Sequence, residues 1–181
     1  MASAKTPKPK AQPLPIVGAR PYTGNTDGAS PKRRAGMDAF IKEVIWLGQG
    51  ALWDNGSYGV RNMRGKETLS VHATGRAVDL SYRPSASKKL ANRKDALEAI
   101  EKLCAHANDL GIEMIIDYFP QPFGRAWKCD RQAWSKYSKP TVTGAPGGDW
   151  FHIEITPQAA DSVIWVKAAF LKVFGEIPPK A

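Results

Sequence analysis

Ser70-Val71-His72-Ala73-Thr74-Gly75-Arg76-Ala77-Val78-Asp79-Leu80 places an imidazole and a carboxylate seven residues apart, across a turn that leads into an apolar strand. Gly75 permits a tight turn or the close approach of another part of the chain. From there Ala77-Val78-Asp79-Leu80 alternates, so Ala77 and Asp79 share one face of a strand while Val78 and Leu80 share the other. His72 and Asp79 can then converge on one point, an arrangement that suits a metal ion. A catalytic zinc site uses three protein ligands of N, O or S type and leaves one position open, so a third ligand must lie elsewhere. The chain has three histidines, which shortens the search.

The third ligand is best placed in Gly147-Gly148-Asp149-Trp150-Phe151-His152-Ile153-Glu154-Ile155. After the glycines, the run reads as a strand with Trp150, His152 and Glu154 on one face and Phe151, Ile153 and Ile155 on the other. If it pairs near the Asp79 strand, His72, Asp79 and His152 form an N2O set of the kind zinc accepts. Asp149 stands at the strand mouth, three residues before His152, where a carboxylate could hold a water at the metal.

Ser-x-His-x-x-Gly-x-Ala-x-Asp, followed far along the chain by a carboxylate, two residues and a second His, resembles the zinc peptidoglycan peptidases of the D-alanyl-D-alanine carboxypeptidase and L-alanyl-D-glutamate endopeptidase superfamily. The resemblance implies zinc bound by His72, Asp79 and His152, with Asp149 as general base. Many members carry Glu at that last position, and some phage endolysin members carry Asp. Gly56-Ser57-Tyr58-Gly59-Val60-Arg61 is similar to the extensin-like branch, in which an Arg precedes the metal His at about this spacing. By that position Arg61 is the cation for the oxyanion or a substrate carboxylate, with Arg64 in reserve. The match covers residues 57–82 and 149–155. Beside it, Ser70 is read as orienting His72, binding substrate or serving as a turn hydroxyl. Glu154 and Trp150, on the His152 face, are candidates to support a ligand or meet substrate; Glu154 is also an alternative base.

Composition fits one domain. With 181 residues, 43% of them hydrophobic, and six Trp, the chain can bury a substantial core. No apolar run approaches the roughly 18 residues of a transmembrane helix. Met1 to Pro7 lacks the apolar stretch of a secretory signal, which leads to the expectation of a phage particle or host cytoplasm, with action at the cell wall. The charge is uneven: residues 1–35 hold seven Lys or Arg against one acid, Asp27, whereas the remainder holds 19 against 16. With six prolines as well, residues 1–35 read as an extended basic arm without a core of its own, and 36–181 as the catalytic domain. The arm is suited to a polyanion or virion protein, or to a solubilising or docked role.

Met37, Phe40, Ile41, Val44, Ile45 and Leu47 predict a helix ending at Gly48 and Gly50. Trp53 to Ser57 reads as a turn before a short strand at Tyr58 to Arg61. A second helix carries Leu97, Ile100, Leu103, Cys104, Ala107 and Leu110 and ends at Gly111, with His106 off its apolar stripe. Ile112 to Phe119 reads as a buried strand, with Asp117 a strand-end acid or a support for a ligand. Arg125 to Tyr137 interleaves aromatic and basic residues, as a groove lining or a cover for the core. Two cysteines, Cys104 and Cys129, exclude a disulfide framework. Thr156-Pro157 reads as cap and first residue of a last helix that closes at Gly175, with Pro178 and Pro179 preventing its resumption.

The fold expected is α+β: a small, mostly antiparallel sheet near Tyr58, Asp79, Ile115 and His152, with packed helices and zinc at the sheet edge. The resemblance implies the D-Ala-D-Ala carboxypeptidase or hedgehog-like fold, and hydrolysis of an amide bond in stem peptides or cross-links of peptidoglycan. The alternative is a non-catalytic virion or polyanion-binding structural protein that keeps the zinc peptidase fold.

Overall fold

The computed structural model describes residues 16–140 and 144–176. Six strands form one antiparallel sheet: β1 (Trp53–Gly56), β2 (Ala77–Ser81), β3 (Ile112–Asp117), β4 (Arg125–Lys128), β5 (Ala133–Lys136) and β6 (Trp150–Ile155), in the order β1-β2-β6-β3-β4-β5. Among the described residues four α-helices accompany it, α1 (Ala35–Leu47), α2 (Arg93–Ala105), α3 (Pro157–Asp161) and α4 (Val163–Phe174), together with a 3-10 helix at Val71–Thr74. The α+β class is as expected. No helix among the described residues is long and apolar enough to cross a membrane.

Alternation along the strands divides the sheet into two chemically different faces. Val78 and Leu80 of β2, Phe151, Ile153 and Ile155 of β6, Ile112 and Ile115 of β3 and Trp127 of β4 join one core with Phe40 and Val44 of α1, Ile100 and Leu103 of α2 and Phe170 of α4. Each such side chain contributes about 1.5–3 kcal/mol when fully buried, so the helical layer fixes the register of the central strands. A slip of one residue would carry the polar set into this core. The opposite face holds a smaller cluster of Met114, Ile116, Tyr118 and Ala126, beside Asp79, His152 and Glu154.

The structure corrects several expectations. The first strand is Trp53–Gly56, where a turn was expected, and Tyr58 to Arg61 is not a strand. Trp53 pairs with Ser81 and Asp54 with Leu80, while Asn55-Gly56 makes an irregularity in the ladder instead of reversing the chain. The Asp79 and His152 strands are second and third of six, so the site lies on a face of the sheet and not at its edge. Arg125 to Tyr137 supplies the β4-β5 hairpin, with Trp127 in the core and the Arg125 guanidinium over the Trp134 ring at 4.1 Å. It covers the core. The last helix is two pieces because Ser162 is extended and caps α4 by accepting the Trp165 amide.

Nor does packing change at residue 35. Arg20 donates to Asn108 and to the Ile112 carbonyl, Thr23 donates to Glu113, and Arg34 pairs with Asp27 and Asp161. Residues 20–34 therefore belong to the domain assigned to 36–181. Lys5, Lys8 and Lys10 of the arm, like Pro178 and Pro179, lie outside the described residues.

Candidate metal centre

Local sequence explains how His72 is presented. Ser70 is extended and its hydroxyl accepts the His72 amide, starting the 3-10 turn, and the Thr74 hydroxyl donates to the Val71 carbonyl within it. Gly75 closes the turn at φ 74°, and a Cβ there would stand 3.0 Å from Arg34 side-chain carbons, so both the left-handed backbone and the close approach call for glycine. Asp79 and His152 are direct cross-strand partners in the β2-β6 ladder, with Ile116 opposite His152 on its other side.

Three acceptor atoms converge. His72 Nε2 lies 3.1 Å from His152 Nδ1, His152 Nδ1 lies 3.0 Å from Asp79 Oδ1, and His72 Nε2 lies 3.4 Å from the same Oδ1. Both imidazoles are nearly buried and Asp79 is partly buried. The far side of each ring is also held. His72 Nδ1 meets the Ser57 carbonyl, which can only accept, so Nδ1 carries hydrogen. His152 Nε2 meets Glu154 Oε1 at 2.9 Å, while the Tyr22 hydroxyl donates to Glu154 Oε2 at 2.6 Å. Burial, reinforced by the Glu154 charge, pushes the Tyr22 phenol far up, so it remains a donor.

With their outer nitrogens donating, neutral His72 and His152 point lone pairs at each other and at a carboxylate oxygen. That arrangement requires a positive charge between them, either a proton or a metal ion. For the protein alone, burial lowers the His152 pKa, but its hydrogen bonds to Asp79 and Glu154 outweigh this and lift it to about 10. Burial likewise works to raise Asp79, and the hydrogen bonds from His152 and His72 reverse it, holding the carboxyl well below its ordinary range. His72, Asp79 and His152 are thus a group that could hold a metal ion.

The other expected residues fall into place unevenly. Asp149 is one-third exposed at the mouth of β6, with its carboxylate 3.2 Å from Arg83 Nη1 and its carbonyl accepting from Ser81 and Tyr82. Arg61 and Arg64 are exposed, and among the described residues neither side chain has a hydrogen bond or ion pair. The Arg61 guanidinium lies against Gly59, where a Cβ would be 2.9 Å from Nη1, two residues beyond the carbonyl that holds His72. Trp150 is half-buried and its ring stacks near Tyr118 at 4.7 Å. Asp117 supports no ligand: it is buried against Arg93 and Arg125. His106 is exposed and meets the Phe174 ring edge to face, and Cys104 and Cys129 are free thiols.

Sequence reasoning missed Tyr22, Arg83 and Tyr118. Tyr118 packs with Met114, Ile116 and Trp150 on the site face, and burial, with the nearby Asp79 charge adding to it, raises its phenol. Its signal was available, since Ile116 and Tyr118 continue one face of a strand; Tyr22 and Arg83 had none beyond residue type. Compared with known proteins, the chain matches no family model, no curated protein and no solved structure.

Proposed function

We propose that this protein is a zinc-dependent peptidase that hydrolyses an amide bond in peptidoglycan stem peptides or their cross-links. The observation that carries the reading is the convergence of His72 Nε2, Asp79 Oδ1 and His152 Nδ1, with both outer ring nitrogens already engaged. Four ligands about 2.0–2.1 Å from a tetrahedral ion stand about 3.3–3.4 Å from one another. The separations of 3.0, 3.1 and 3.4 Å are within a few tenths of an ångström of that, so the three atoms need open only slightly to admit an ion. Two imidazoles and one carboxylate are a donor set suited to zinc, and three ligands leave a fourth position for chemistry.

When bound, zinc would supply Lewis acidity, which lowers the pKa of water and polarises a carbonyl. The remaining steps belong to the side chains. Asp149 accepts a proton from the attacking water and returns it to the leaving amine. Arg83 shares that carboxylate at 3.2 Å, keeping it oriented at the strand mouth. Glu154 is unsuited to the base role, because His152 and Tyr22 occupy its two oxygens and it is buried. Arg61, with no carboxylate partner of its own among the described residues, is available to the developing oxyanion or to a substrate carboxylate. Tyr118 and Trp150 supply an apolar wall on the sheet face that carries His152.

The test is digestion of purified peptidoglycan and soluble muropeptides, with products identified by mass spectrometry and metal content measured by atomic emission. One zinc per chain, a new amine and carboxyl terminus in the product, and loss of cleavage in chelator support the proposal. Stoichiometric zinc with intact muropeptides would instead favour the non-catalytic alternative.

A further inference from the structure

We infer that Tyr22, from the segment expected to be an extended arm without a core of its own, is a positioning residue for the metal centre, acting on His152 through Glu154. The inference rests on the metal reading above. Tyr22 Oη lies 2.6 Å from Glu154 Oε2, and Glu154 Oε1 lies 2.9 Å from His152 Nε2, so one continuous chain of hydrogen bonds runs from residue 22 to the ligand. Glu154 is 3% exposed. A buried carboxylate with one unsatisfied oxygen would turn or draw in water, and His152 would lose the fixed acceptor that keeps hydrogen on Nε2 and the lone pair on Nδ1. The phenol saturates the second oxygen and thereby sets the direction of the first.

Tyr22 is itself well anchored. The Lys128 ammonium sits 4.2 Å from the centre of its ring. The next residue, Thr23, donates to both oxygens of Glu113 at 2.9 and 2.8 Å. Glu113 is wholly buried and also receives Arg76. Thr23 thus holds the same segment to the same sheet without touching the His152 chain. That makes it a control: a change at Thr23 weakens the anchoring, whereas a change at the Tyr22 hydroxyl removes only the contact to Glu154 and keeps the ring.

The experiment compares wild type, Tyr22→Phe, Thr23→Val and Glu154→Gln as full-length chains. Zinc affinity is measured by competition with a chromophoric chelator, and ligand geometry by the visible absorption of the cobalt-substituted protein. Loss of an outer contact to a ligating His costs roughly 10–100-fold in metal affinity. Tyr22→Phe and Glu154→Gln are expected to fall in that range and to alter the cobalt spectrum, whereas Thr23→Val lowers the melting temperature and leaves affinity and spectrum unchanged. Wild-type affinity and spectrum in Tyr22→Phe would overturn the inference while leaving the metal reading intact. An equal loss of affinity in Thr23→Val would overturn it too, by showing that anchoring alone matters. Failure of the wild type to take up zinc or cobalt would overturn the metal reading and this inference with it.

Discussion

At the scale of single residues, the three converging atoms of His72, Asp79 and His152 share one requirement, a positive charge at their common point, and this makes their behaviour pH-dependent. In the metal-free protein the His152 pKa is lifted from 6.5 to about 10. A group raised on folding stabilises fully below its unfolded value, so this contribution is present below pH 6.5 and is lost as pH rises towards 10. Asp79 has the opposite sign: its depressed pKa stabilises at neutral pH, and the contribution is lost only on strong acidification. A metal competes with the His152 proton, so zinc uptake should tighten across the window in which apo stability falls. Thermal melts with and without zinc at a series of pH values check both trends; zinc binding that weakens as pH rises through this window contradicts the ligand role. His72→Ala, Asp79→Ala and His152→Ala should each lose zinc, whereas His106→Ala, on the exposed end of α2, should keep it. Asp149→Asn retains the shape of the carboxylate but accepts no proton. It should bind zinc normally and lose about 10²–10⁴-fold in turnover, the usual worth of general acid–base catalysis. Full activity in that variant would remove Asp149 from the mechanism.

At the scale of elements, the site depends on how closely the helical layer seats behind β2 and β6. Gly36 in the first turn of α1 faces α3, where a Cβ would stand 2.0 Å from the Ala159 carbonyl oxygen and 2.6 Å from Ala160 backbone atoms. Backbone cannot give as a flexible side chain does, so Gly36→Ala should destabilise by at least the roughly 1–3 kcal/mol typical of overpacking. A lowered denaturant midpoint with zinc stoichiometry retained by the folded fraction is the expected reading. The elements legible in the sequence were those with one strong period: α1, α2, the buried β3, and β2 and β6 with their alternating faces. The β4-β5 hairpin was not, because its bases and aromatics read equally well as a groove until Trp127 is seen in the core. β1 was displaced because Asn55-Gly56 signals a turn locally, while the ladder with Leu80 and Ser81 is a long-range decision. For the site, the convergence of His72, Asp79 and His152 followed from spacing and alternation. Tyr22 lies 132 residues from the Glu154 it holds, and no local pattern encodes such a contact.

At the scale of the whole molecule, Arg76 joins the parts. It is fully buried, and its guanidinium reaches Asp27, Glu113, the Ile155 carbonyl and the Gly24 carbonyl. The same residue follows the Gly75 turn that presents His72 and precedes the strand that carries Asp79. One buried cation therefore ties residues 24–27 to β3 and β6 at the root of the metal centre. On removal of residues 1–30, an arm without a core of its own would come away and leave the rest of the fold whole; the contacts lead to the opposite expectation. Deletion takes away Asp27 and the Gly24 carbonyl from Arg76, Thr23 from Glu113 and Tyr22 from Glu154, leaving Arg76 and Glu113 as a buried pair with fewer partners. Removing one member of a buried ion pair typically costs about 3–5 kcal/mol, because the partner stays charged and out of water. Against a domain stability of about 5–15 kcal/mol, losing the Asp27 charge together with the three neutral hydrogen-bonding groups should lower the melting temperature severely. Arg76→Leu tests the same joint without truncation. It removes the cation and leaves the buried Glu113 carboxylate without its charged partner, so it should also be strongly destabilising. Circular dichroism melts of the two variants decide the matter: a truncated chain that melts like the full-length protein and still binds zinc would show that the arm decorates the fold and does not complete it.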